Sequence, residues 1–116
     1  MPYGLNDQTI EKIVTVFAAC PEIEKVLLYG SRAKGNYRDG SDIDLTIVGD
    51  TVTQSHLLKI ANELEDLLLP YKIDLSLMRQ IEDKEVVEHI RRVGVVFYER
   101  TADASPATKT RMTSLI

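Results

Sequence analysis

The chain has 116 residues, 44% of them hydrophobic, with 18 acidic against 14 basic side chains and a net charge of −4. That length can bury one core and has no room for a second domain of ordinary size, and the acidic balance lacks the basic stripe of a nucleic-acid-binding surface, so DNA and RNA are not expected as acceptors. No apolar run approaches the ~20 residues of a membrane span and no signal peptide is visible, which predicts a cytoplasmic protein.

In chain order, Ile10, Ile13, Val14 and Phe17 recur at helical spacing over residues 7–19, after Asn6 and Asp7, either of which suits a helix cap. Cys20 closes that pattern; as the single cysteine it cannot form an internal disulfide, and a buried thiol is expected. The apolar run Ile23, Val26, Leu27, Leu28, Tyr29 reads as a strand, so Gly30 and Ser31 fall where a strand ends and a short helix begins. Backbone N–H groups at such a start favour anions. Asp39-Gly40 is a turn signal.

In Ser41 to Val48, Ile43, Leu45 and Ile47 alternate with Asp42, Asp44 and Thr46, the period-2 pattern of a strand with one buried face. Asp42 and Asp44 therefore project from the same face, with Cα atoms about 6.5 to 7 Å apart. Residues 54–69 return to helical spacing with Leu57, Leu58, Ala61, Leu64, Leu67 and Leu68, and Pro70 ends that helix. Tyr71 to Leu77 alternate again, with Asp74 on the polar side, so pairing with the earlier strand would add a third carboxylate. Over residues 81–93, Val86, Val87, Ile90 and Val93 share a helix face and Gly94 is placed as a stop. Val95 to Tyr98 form a short last strand.

The order helix, strand, short helix, strand, helix, strand, helix, strand predicts an α+β fold: a small mixed sheet with helices mainly on one face and the carboxylates on the other. Residues 1–100 form the domain, and 101–116 turn polar before Met112, Leu115 and Ile116, which reads as a disordered tail whose apolar end could dock on a partner. His56 and His89 lie in separate helical segments without cysteine or histidine partners at ligand spacing, so no zinc site is expected and both are assigned to the surface or to helix packing. Pattern alone does not separate exposed apolar positions from core ones, which leaves homo-oligomerisation open.

Three carboxylates on one face repel one another unless a cation lies between them. Mg²⁺ is the natural candidate, since it takes octahedral oxygen ligation from a few carboxylates plus substrate phosphates. Two such ions suit an in-line displacement at phosphorus, so a phosphate turn beside a metal-binding strand describes nucleotidyl or phosphoryl transfer. Arg32, Lys34 and Arg38 either neutralise triphosphate charge or are solvated loop charges, with Arg32 the candidate for contact.

Gly30-Ser31, ten intervening residues, then Asp42-Ile43-Asp44 resembles the signature of the DNA polymerase β-like nucleotidyltransferase superfamily, with Asp74 in the place of its third carboxylate. The short chain is similar to the minimal nucleotidyltransferases (MNT), often encoded beside a small helical HEPN protein; the resemblance covers roughly residues 8–98. It implies the nucleotidyltransferase fold, with Gly30 and Ser31 on the β- and γ-phosphates of a nucleoside triphosphate. It further implies Asp42 and Asp44 on Mg²⁺, and Asp74 on the metal nearer the acceptor hydroxyl, helping to deprotonate it. Larger superfamily members add an acceptor-recognising domain, so the expected acceptor is another molecule. For the MNT branch the implied reaction is transfer of AMP from ATP to a tyrosine of a HEPN toxin, the MNT protein being the antitoxin. Two alternatives stay open: a non-catalytic antitoxin that masks its partner, and transfer to a small molecule such as an aminoglycoside.

Overall fold

The structure is a computed structural model that describes residues 2–100; the tail expected over 101–116 lies outside the described residues. After a 3-10 turn at Pro2–Gly4, the chain forms α1 (Asp7–Ala18), β1 (Lys25–Tyr29), α2 (Gly30–Lys34), β2 (Ile43–Val48), α3 (Gln54–Asp66), β3 (Ile73–Leu77), α4 (Lys84–Val93) and β4 (Val95–Glu99). A second 3-10 turn, Met78–Gln80, follows β3. This is the α+β architecture that alternation and helical spacing predict.

The sheet order is β3-β2-β1-β4. β1 runs antiparallel to β2 and to β4, with an irregularity between Val26 and Leu27 on the β4 side, and β2 runs parallel to β3 through the α3 crossover. Alternation sends Val26, Leu28, Ile43, Leu45 and Ile47 to one face, all at most 1% exposed. Ile13 and Phe17 of α1 and Ile60 and Leu64 of α3 complete the same cluster. Burial of these side chains, at about 25 cal/mol per Å² of apolar surface removed from water, is the main favourable contribution to the fold. α4 lies differently: its His89 meets Tyr29, on the opposite face of β1.

Element ends follow local chemistry more than apolar spacing. Asn6 Oδ1 accepts the Thr9 N–H at 2.8 Å and starts α1. Thr53 and His56 form a reciprocal capping box at α3, the Thr53 N–H donating to His56 Nδ1 at 3.0 Å and the His56 N–H to Thr53 Oγ1 at 3.2 Å. α3 stops at Asp66, short of the expected residue 69, because Leu68 turns left-handed at φ 56 with its side chain 88% exposed. α4 starts at Lys84 and not at 81, where Asp83 Oδ1 accepts the Glu85 N–H. Gly94 does end α4, but with extended φ −62 and ψ 140 in place of the left-handed geometry usual for a C-terminal glycine.

Leu45 lies at the centre of the buried face and is fully buried. Leu45→Ala should lower unfolding free energy by about 2 to 5 kcal/mol, the cost of deleting buried methyl groups and leaving a cavity, read as an earlier midpoint in urea denaturation with an unchanged slope.

Candidate active site

β1 ends at Tyr29 and the chain turns through Gly30, at φ +74, into α2. That conformation suits glycine, and space demands it as well: a Cβ on Gly30 would collide with Asp44 Oδ2. The turn is thus packed directly on a carboxylate of β2. Register places Tyr29 opposite Asp44 on one side and Asp74 opposite Asp44 on the other. Thr46 and Ser76 form the next rung, the Ser76 hydroxyl donating to Thr46 Oγ1 at 2.9 Å. Asp42 lies one residue before β2 begins, outside the strand in which alternation had placed it, and is exposed.

Asp44 is partly buried, whereas Asp42 and Asp74 are exposed. Burial raises the Asp44 carboxyl above its ordinary pKa, and the carboxylates of Asp74 and then Asp42 push it further; His89 pulls weakly the other way. Burial also raises the Tyr29 phenol, with Asp74 and Asp44 adding to the shift and the neighbouring Ser76 hydroxyl opposing it. Such crowding of like charge beside a half-buried oxygen donor fits a hard divalent cation, which would relieve the repulsion. Asp44 and Asp74, with Asp42 at the rim, are the residues that would hold it.

Arg32 departs from expectation. It is 2% exposed, and its guanidinium donates to Tyr3 O at 2.8 Å, to Ser41 O at 2.9 and 3.2 Å, and to Asp39 O at 3.4 Å. It also lies over the rings of Tyr71 and Tyr37, at 4.9 and 5.4 Å from their centroids. With its donors committed to backbone carbonyls, Arg32 ties the amino-terminal segment and the 39–41 turn to α2, and the phosphate contact expected of it does not fit this position. Lys34 and Arg38 are exposed.

His89 reaches the site unforeseen: its Nε2 accepts the Gly30 N–H at 3.1 Å, from 59 residues along the chain. Apolar spacing in α4 marks His89 only as lying beside the buried Ile90, and no local signal names its partner. His56 also gains neighbours that the sequence separates. Cys20, Glu22 and His56 bring donor atoms within 4.8 Å of one another. His56 Nδ1 accepts the Thr53 N–H, which leaves the proton of the neutral ring on Nε2, 3.9 Å from Glu22 Oε1. Cys20, expected as a buried thiol, is partly buried, and burial together with its hydrogen bond to Glu22 raises its thiol.

Residues 11–103 match the family described as polymerase beta, nucleotidyltransferase. The chain belongs to that family. Over 61 residues it is 36% identical to a protein of Methanocaldococcus jannaschii that carries the provisional name of protein adenylyltransferase, a match covering 53% of this chain. The match spans 57% of the length of that relative. Among solved structures, a chain of a toxin–antitoxin complex with AMP-PNP superposes with a TM-score of 0.62 at 23% identity, covering 86% of this chain and 78% of that one. A chain from the complex of tri-AMPylated Shewanella oneidensis HEPN toxin with MNT antitoxin gives a TM-score of 0.60 at 18% identity, covering 82% and 73%. These likenesses establish the nucleotidyltransferase fold.

Two consequences of the site geometry are measurable in this family member. Arg32→Ala strands the part-buried carbonyls of Tyr3 and Ser41 and removes a packed side chain; at about 1.5 to 3 kcal/mol for a hydrogen bond to a charged group, it should cost at least about 2 kcal/mol of stability, read by thermal or urea unfolding. For Asp44 the sign runs opposite to the common carboxylate case. The folded state holds its proton more tightly than the unfolded chain, so stability of the metal-free protein falls as pH rises from about 3.9 through the higher folded pKa. Asp44→Asn should therefore raise the unfolding midpoint of the metal-free protein at pH 7, with the gain shrinking below about pH 4.

Proposed function

We propose that this chain is a Mg²⁺-dependent adenylyltransferase that transfers AMP from ATP to a tyrosine hydroxyl of a HEPN partner, and thereby acts as its antitoxin. The observation that carries this reading is the contact of the Gly30 turn with Asp44, itself paired in register with Asp74. That contact supports reading the turn as a phosphate site and the carboxylates as a metal site that work together. The family, the provisional name of the M. jannaschii relative and the toxin–antitoxin complexes with the same fold support the choice of nucleotide and partner.

In this reading Gly30 lets the backbone approach the triphosphate closely, and Ser31 offers its hydroxyl and N–H to the phosphates. Asp42, Asp44 and Asp74 would hold Mg²⁺, most economically as two ions, which supplies charge neutralisation at the phosphates and lowers the pKa of a bound hydroxyl. The acceptor oxygen bonds to the α-phosphorus, the bond from that phosphorus to the oxygen bridging to the β-phosphate breaks, and pyrophosphate leaves. Asp74, exposed like Asp42 and paired in register with Asp44, would take the hydroxyl proton. The half-buried Asp44 stays ionised through the cation it helps to hold.

Incubation with Mg-ATP and the product of the neighbouring gene should add one or more AMP units to that partner, seen by intact-mass spectrometry. Loss of an outer-sphere partner alone costs 10- to 100-fold at metal sites, so Asp42→Asn and Asp44→Asn should each slow transfer by at least about 100-fold. Unmodified authentic partner, or neutralisation in cells that survives both substitutions, would refute the catalytic reading.

A further inference from the structure

The Gly30 N–H lies at the point where strand, turn and metal carboxylate meet, and it is already satisfied. Its acceptor, His89 Nε2 at 3.1 Å, comes from α4, far along the chain. The His89 ring is located on a second side by Tyr29, edge-on at a centroid distance of 6.1 Å and an interplanar angle of 77°. α4 carries this ring on a firm base: Ile90 is 3% exposed, and Asp83 caps the helix start. The ring accepts through Nε2, so the neutral imidazole keeps its proton on Nδ1.

The same glycine also packs against β2: a Cβ at Gly30 would strike Asp44 Oδ2, so the backbone there lies against the carboxylate with no room for a side chain. Gly30 is thus held between α4 and β2. Ser31, its covalent neighbour, inherits that position, and a phosphate arriving at the turn meets the Ser31 donors while the Gly30 N–H remains occupied.

We propose that His89 is a positioning residue for nucleotide binding: by accepting the Gly30 N–H it pins the phosphate turn against Asp44 and sets Ser31 relative to the carboxylates. The proposal rests on the reading of Gly30-Ser31 as the triphosphate site. His89 need not touch the nucleotide; it acts through the backbone of Gly30, as a ligand's orienting partner does at metal centres.

The test compares the full chain with His89→Ala and His89→Gln, since a Gln side-chain carbonyl is still an acceptor and Ala is not. Mg-ATP binding is measured by calorimetry, and exchange of the Gly30 amide by NMR on ¹⁵N-labelled protein. His89→Ala should weaken Mg-ATP binding by about tenfold or more and speed Gly30 amide exchange, while its unfolding midpoint stays within about 3 °C of the parent. His89→Gln should restore most of both. In the transfer assay the loss should fall mainly on KM for ATP, with kcat changed less. Unchanged Mg-ATP affinity in His89→Ala, or an equal loss in His89→Gln, overturns the role of His89. Failure of the parent protein to bind Mg-ATP at all instead overturns the phosphate-site reading itself, and a Gly30 amide indifferent to His89→Ala removes the pin whatever the nucleotide does.

Discussion

Parallel pairing of β2 with β3 does two jobs through one register. Ile43 lies opposite Ile73 and Leu45 opposite Leu75 on the face that closes the core, and the same alternation sets Asp44 beside Asp74 on the other. A slip by one residue would turn the apolar set outward and separate the carboxylates in the same step. Hydrophobic burial, which is not directional, therefore enforces a directional arrangement of charge. The core specifies the site because both ride on a period of two.

That arrangement carries an electrostatic cost within the metal-free chain. Asp44 is partly buried with Asp74 alongside, Asp42 at the rim and a glycine backbone against its oxygen. Nothing in packing requires three acids there. On the proposed reading, a cation and a triphosphate together would change the balance, the cation answering the carboxylates and the phosphates answering the cation. Perturbed carboxylates of this kind cluster at functional sites, which is why they support the proposed reading.

Rigidity around the Gly30 turn comes from two side chains, Arg32 and His89. Arg32, in the first turn of α2, points inward and gathers carbonyls from Tyr3, Asp39 and Ser41. Between α2 and β2 the chain runs through the polar and exposed stretch Lys34 to Asn36 and Arg38 to Gly40, so these bonds fix the loop that delivers Asp42 to the rim. His89 fixes the other end, at Gly30. Loops position functional groups well only when a scaffold over-determines them, and here a buried cation and a helix side chain provide that constraint.

The sequence by itself determined the kind and order of the main elements and the face of each strand, and it singled out Gly30, Ser31, Asp42, Asp44 and Asp74 as candidates for one chemistry. Periodicity and turn residues are local properties, and burial of apolar faces amplifies them reliably. Helix ends were less legible, as Leu68 and Asp83 show, because a cap or a left-handed residue overrides apolar spacing. Tertiary structure alone decided which way Arg32 points, that His89 meets Gly30, and that Cys20, Glu22 and His56 converge. Those contacts join segments well separated along the chain, and side-chain direction at a helix start or on a partly buried helix face depends on what the fold brings opposite, which no local pattern encodes. An arginine beside a phosphate turn reads in sequence as a ligand contact; three carbonyls and two aromatic rings converging on it made it part of the core.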